Sequence, residues 1–191
     1  DCLPALRRAA EADARIRIVP AAIDTTDGSA TLHRMNFRAL SALSAPAELA
    51  DLFPALETAA RHTVDTLGVA SLIAKHLPDL SDETPPRRNV LIADAPAVTA
   101  LVLEALAEQR QLESFQDLLL CAPRTAFWEK SQSADAVLGF VEGEGFAIRS
   151  RNDEDPDFPL LWAWLDPLSR ENRRLKAEAE TLRETVQTLT S

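Results

Sequence analysis

Cysteine, glycine, histidine and lysine are all scarce in this 191-residue chain, and each scarcity excludes something. The two cysteines, Cys2 and Cys121, cannot build a disulfide framework or a four-ligand zinc site. A reducing cytoplasm is therefore the simplest compartment. The five glycines are Gly28, Gly68, Gly139, Gly143 and Gly145. None lies in a Gly-rich strand-to-helix turn, so these residues hold neither a P-loop nor a dinucleotide fingerprint. Gly-x-Ser-x-Gly is absent too. The three histidines, His33, His62 and His76, have no second ligand-type neighbour at helical or strand spacing, which argues against a metal site. Only Lys75, Lys130 and Lys176 among 20 basic residues are lysine, a skew without functional meaning. No apolar run approaches the roughly 18 residues of a membrane span. Positive charge is short overall: the net charge is −10 and the pI about 4.8. Such a surface repels phosphate backbones, which excludes nucleic acid as a default partner and disfavours anionic membranes.

Apolar residues make up 46% of the chain, enough for a real core in a single domain with an appendage. The first residues, Asp1-Cys2-Leu3, carry neither Met nor a basic-then-apolar leader, so we read the sequence as a piece of something longer. Residues 4–14 favour helix. Arg15-Ile16-Arg17-Ile18-Val19 alternates as a half-buried strand does, running to Ile23. After the turn Asp24 to Gly28, residues 30–35 read as a second strand, the two forming a hairpin. A short helix is expected over 46–56, with Pro46 in its first turn. Residues 57–77 read as helix or strand around Thr63 to Leu67, then a short helix from Val69 to His76. Residues 81–88 form a polar loop.

The strongest fold signal follows. Asn89-Val-Leu-Ile-Ala-Asp94 is a short apolar run ending in an acid, followed by a helical pattern through Val98, Leu101, Val102, Ala105 and Leu106. Phe115 to Cys121 is a second run, and 133–144 a helix stopped at Gly145. Strands at 146–150 and 160–165 complete the order strand, helix, strand, helix, strand, strand. That is an α/β sheet with crossover helices and an antiparallel edge hairpin.

From Leu168 the period changes. Leu168, Leu175, Leu182 and Leu189 recur every seven residues. With these at d, Asn172, Ala179 and Val186 fall at a, Glu171 and Glu178 at g, and Lys176 and Arg183 at e. A parallel dimer then pairs Glu171 with Lys176 and Glu178 with Arg183, while Asn172 fixes a two-stranded register. The competing arrangement, an amphipathic helix folded back on the body, needs a wider apolar face.

Asp94 is the candidate site residue, because α/β sheets bind ligands beyond the carboxyl ends of their strands. Its alternative role is to cap the following helix. Cys121 reads as a buried small hydrophobe. The loop Asp153 to Asp157 reads as solvated rather than as a calcium site. Trp162 and Trp164 share one strand face, read as core or a covered sheet face, with an exposed partner patch as the lesser alternative. Phe127-Trp128 is read as lining a pocket or an interface.

The order of these segments resembles the latter two thirds of FkbM-type methyltransferase domains, over about Leu3 to Pro167. Leu3-Pro-Ala-Leu-Arg-Arg resembles the helix after the family's second strand. Arg15 to Ile23, with Asp27-Gly28-Ser-Ala-Thr-Leu, resembles its strand, turn and hairpin. Asn89-Val-Leu-Ile-Ala-Asp94 resembles its Leu-Lys-Ile-Asp strand. The resemblance implies a class I, Rossmann-like, mostly parallel sheet and an acid, Asp94, near the active site. The family's S-adenosylmethionine is held by a Gly-rich loop and an acid that would both precede Asp1. Its Asp-x-Glu-Gly-x-Glu continuation is here Asp94-Ala-Pro96-Ala-Val98-Thr99, which keeps the first acid alone. We therefore expect residues 1–167 to be a methyltransferase-like body that binds no cofactor as given. Residues 168–191 are expected to dimerise it as an assembly module, with a further protein partner possible. The alternative is a fragment of an active enzyme acting on a sugar or glycan.

Overall fold

The computed structural model describes residues 3–76 and 88–189, with the backbone alone at several positions of the last helix. Cys2 and all of the polar loop before Arg88 lie outside the described residues. Helix α1 (Leu3–Ala12) is followed by Asp13, whose carboxylate accepts hydrogen bonds from the backbone N–H of Arg15 at 2.9 Å and from its guanidinium. This clasp, and the missing N–H of Pro20, hold residues 15–20 out of any ladder. The strand expected from Arg15 is correspondingly reduced to β1 (Ala22–Asp24).

Strands β2 (Gly28–Met35) and β3 (Thr58–Gly68) pair antiparallel, and β1 joins the other side of β3 in parallel. The expected hairpin between the first two strands does not form, because β3 lies between them in the order β1-β3-β2. Their connecting turn instead folds over the end of β3. One carboxylate oxygen of Asp27 accepts the Gly68 N–H at 2.8 Å, and the other accepts the Ser71 hydroxyl at 2.8 Å. A Cβ on Gly68 would stand 3.0 Å from the Thr25 carbonyl oxygen and 3.1 Å from the Thr26 Cα, an approach that requires glycine. Helix α3 (Val69–His76) then starts as expected. The helix expected over 46–56 shrinks to the single turn α2 (Leu49–Leu52). Backbone around Pro46 is committed elsewhere: Ala47 N–H donates to Phe127 C=O at 2.8 Å and Glu129 N–H to Ala45 C=O at 3.0 Å.

The strand and helix alternation after residue 89 is present. It comprises β4 (Val90–Ala93), α4 (Thr99–Glu108), β5 (Asp117–Cys121), α5 (Ala134–Gly143), β6 (Phe146–Asn152) and β7 (Leu160–Leu165). The sheet order is β4-β5-β7-β6, with β4 parallel to β5 and β7 antiparallel to both its neighbours. Strands β4, β5 and β6 therefore run one way and β7 against them. Ser133 caps α5 by accepting the Ala136 N–H, and Gly145, at φ 90°, ends the turn that follows. The chain is thus α/β with two mixed sheets.

Helices α4 and α5 cover one face of the second sheet. Leu103, Leu106, Val137 and Val141 pack there with Leu118, Leu120, Leu161 and Ala163. A smaller core joins Met35, Leu40, Leu49, Phe127 and Trp128. The opposite face of the second sheet leaves Val90, Ile92, Leu119, Leu160 and Trp162 exposed.

Helix α6 (Pro167–Leu189) is continuous. Asp166 opens it by accepting the Leu168 N–H at 3.1 Å and the Ser169 hydroxyl at 2.7 Å. The Ser169 hydroxyl is the main reason its carboxyl sits below the ordinary value. The main contact of α6 with the body is β6. Leu168, Leu175, Leu182 and Val186 remain exposed, so their stripe does not fold back onto the sheet. Among the described residues, no helix is long and apolar enough to cross a membrane.

Candidate functional site

A cleft of about 630 Å³ opens at the carboxyl ends of β4 and β5. Asp94, directly after β4, lies on its wall with Pro96, Cys121, Asn152, Glu154 and Asp155. The apolar wall is Phe37, Leu40, Phe53, Phe158 and Leu160, with the Phe37 and Phe53 rings 6.5 Å apart. Asp94 also borders a smaller neighbouring cleft of about 280 Å³ that reaches Trp128.

The capping role weighed for Asp94 is not realised. Val98 holds the N-cap of α4 without a side-chain hydrogen bond. The start of α4 is tied down by Thr99, 1% exposed, whose hydroxyl reaches Cys121 C=O at 2.7 Å and Ala95 C=O at 3.1 Å. That hydroxyl links the ends of β4 and β5 and so fixes the cleft floor. Asp94 itself stays exposed on the wall.

Cys121 is buried, as its apolar surroundings suggested. Burial, then the charges of Asp94 and Asp155, push its thiol up to about 11. It is a neutral thiol at pH 7, not a nucleophile. The acidic loop is held by protein donors. Asp155 accepts the N–H groups of Asp157 and Phe158, while Asp153 pairs with Arg151 and Asp157 with Arg124. The histidines fall on separate elements. No group of three His, Cys, Asp or Glu side chains among the described residues has the arrangement of a metal site.

The Phe127-Trp128 pair is core, each 2% exposed, with Phe158 edge-on to Phe127 and tilted against Trp128. Only Trp128 also borders the smaller cleft. Trp162 and Trp164 do share a face, but it is the face away from α4 and α5, and Trp162 is 36% exposed. Arg149 lies over both rings, 5.1 and 4.8 Å from their centroids. Beside them Asp117, 5% exposed at its side chain, accepts from Arg88 Nε at 2.7 Å and from the Trp162 indole at 3.0 Å. The hydrogen bond from Arg88 is the first cause of a carboxyl held below its usual range. Sequence reading missed this cluster and the Phe37, Phe53 and Leu160 walls. The parity of β7 was its only local sign.

The heptad residues all lie on the one helix α6. Glu171, Asn172, Lys176, Glu178 and Arg183 are exposed and Ala179 is half-buried. The side chain of Leu189 lies outside the described residues.

Compared with known proteins, the chain matches no family model, no curated protein and no solved structure.

Proposed function

We propose that this chain is a non-catalytic, methyltransferase-like α/β module that dimerises through α6 as a parallel coiled coil and serves assembly. The observation that carries this reading is the exposed stripe on α6. Leu168, Leu175, Leu182 and Val186 are 75, 49, 65 and 60% exposed on a helix of 23 residues. A heptad seam buries such side chains against its own copy. The class I likeness draws support from the parallel β4–β5 pair, the antiparallel β6–β7 hairpin and the place of Asp94 at the carboxyl end of β4. The non-catalytic reading draws on what surrounds Asp94. Ala95, Pro96, Ala97 and Val98, where the family continues with acids, carry no side chain able to move a proton, and Cys121 is protonated, although Glu154 and Asp155 share the cleft wall.

Light scattering on the full chain and on a Leu175→Glu/Leu182→Glu variant tests the dimer. The contact through α6 should be lost in the variant, halving the mass of whatever assembly the full chain forms, and an unchanged mass refutes the coil. Calorimetric titration with S-adenosylmethionine tests the rest, since a micromolar dissociation constant refutes the non-catalytic reading. A second reading, a fragment of an active methyltransferase acting on a sugar or glycan, is favoured by the cleft beside Asp94. Methyl transfer from S-adenosylmethionine by a longer chain that contains these residues, lost on Asp94→Asn, would establish it.

A further inference from the structure

We infer that the bare face of the β4-β5-β7-β6 sheet is a second self-association surface, and that it takes the same face of another copy with the strands antiparallel. The sequences of β4 (VLIA) and β7 (LLWAWL) are apolar at both parities, and β5 (DLLLC) is so after Asp117, the pattern of strands buried on two faces. Helices α4 and α5 cover only one. On the other, Val90, Ile92, Leu119, Leu160 and Trp162 are 46, 69, 39, 53 and 36% exposed. They form one patch. The ladder sets Ile92, Leu119 and Trp162 side by side across three strands, with Val90 and Leu160 in the flanking rows.

The size of the patch fits a second copy. These five residues leave roughly 450 Å² open, within the roughly 300–600 Å² of the largest patch on an ordinary monomer, which is often functional. Two copies bury roughly 900 Å², below the ~1,200 Å² of a stable interface and in the range of a weak dimer.

Charge sets the orientation. Arg88 and Arg149 stand in the half of the sheet where β4 and β5 begin, Arg88 paired with Asp117 and Arg149 rising from the β6 bulge over the two tryptophans, which leaves one positive charge in excess there. Asp94, Glu154 and Asp155 stand at the end where they finish. A two-fold axis that reverses the strands lays each basic end on the partner's acidic end. One that keeps them parallel opposes like charges. The patch thus carries both halves of its own complement, which is what an isologous contact requires.

The surface is separate from α6, so sedimentation equilibrium can resolve the two. The full chain carrying Leu175→Glu/Leu182→Glu should still form a dimer at micromolar concentration. Adding Ile92→Asp should weaken that dimer about tenfold to a hundredfold, and Leu160→Asp should act alike. Both sites are largely exposed, so circular dichroism should be unchanged. Arg149→Glu should also weaken association, and Arg149→Glu with Asp94→Arg should restore it. A monomeric Leu175→Glu/Leu182→Glu chain, or a dimer indifferent to both Ile92→Asp and Leu160→Asp, overturns this inference and leaves the coil standing. A monomer from Ile92→Asp alone overturns the coil and leaves this inference.

Discussion

Replacing Asp117 with Asn tests the cluster on the bare face. The carboxylate accepts two hydrogen bonds from two donors, Arg88 Nε at 2.7 Å and Trp162 Nε1 at 3.0 Å. Asn keeps the shape but has one acceptor oxygen and an NH2 group. One of its two neighbours therefore meets a donor instead of an acceptor. The pair with Arg88 contributes about 1 kcal/mol, discounted because Arg88 is 65% exposed. The mismatched donor adds about 1 kcal/mol, at the low end for a polar group that water can still reach. The expected loss is about 2 kcal/mol at pH 7, or about 4–8 °C in Tm for a chain of this length. Urea unfolding followed by tryptophan fluorescence, at fixed protein concentration, measures it. The pH dependence has a defined sign. Arg88 first, and Trp162 after it, hold the folded carboxyl below its ordinary value. This stability is whole above the unfolded pKa of about 3.9 and is lost as pH falls through the folded value. The gap between wild type and Asp117→Asn should therefore be full at pH 7 and close below about pH 4. A difference under about 0.5 kcal/mol at pH 7, or a gap as wide at acid pH, refutes this account.

Three further outcomes follow from local geometry. Gly68→Ala should cost about 1–3 kcal/mol in thermal unfolding, because its Cβ would press on backbone atoms of Thr25 and Thr26 rather than on a flexible side chain; a neutral result removes the close-approach argument. Thr99→Val should cost about 1–2 kcal/mol by leaving the buried Cys121 carbonyl without its donor. Thr99→Ser, which keeps the hydroxyl, should retain the cleft, so equal losses in Val and Ser refute the hydrogen-bond role. Cys121 in the folded chain should resist alkylation at pH 7, as its burial and a thiol at about 11 require. Asp94→Asn should bring that thiol down, and peptide mass mapping across a pH series showing no change would separate the two side chains electrostatically.

What was legible in the sequence was the half of the chain whose pattern is local and continuous. Residues 89–165 gave their strands and helices in order, because each apolar run is bounded by a turn residue or a cap. The early part read less well. Arg15 to Val19 alternates like a strand, yet the Asp13 clasp intervenes. The second strand looked like a hairpin partner of the first, yet the 11-residue β3 inserts between them. Pairing of that kind is decided by residues some 40 positions apart, and turn chemistry does not record it. At the site, Asp94 was visible because an acid at the end of an apolar strand has a topological meaning. Phe37 and Phe53 were not, since they reach the cleft from irregular segments without a period. The tryptophans were placed on one face correctly, but parity says nothing about whether a face is covered.

The two edges of the second sheet sharpen that last point. β6 ends in Arg149-Ser150-Arg151-Asn152, exposed or ion-paired to Asp135 and Asp153, the guarded kind of edge that discourages pairing. β4 is the opposite edge, and its four residues are all apolar. Val90 and Ile92 carry the bare face up to that edge with no charge, proline or bulge on the strand to blunt it. Among the described residues this edge borders the uncovered apolar face, but the two ask for different contacts. A sheet laid on the face stands about 10 Å away, whereas strand pairing at the edge needs about 4.8 Å in the plane of the sheet. One copy packed face to face therefore covers Ile92 and cannot also pair with β4. A charge placed at Ile92 acts on the face, so Ile92→Asp separates face packing from any pairing at the edge.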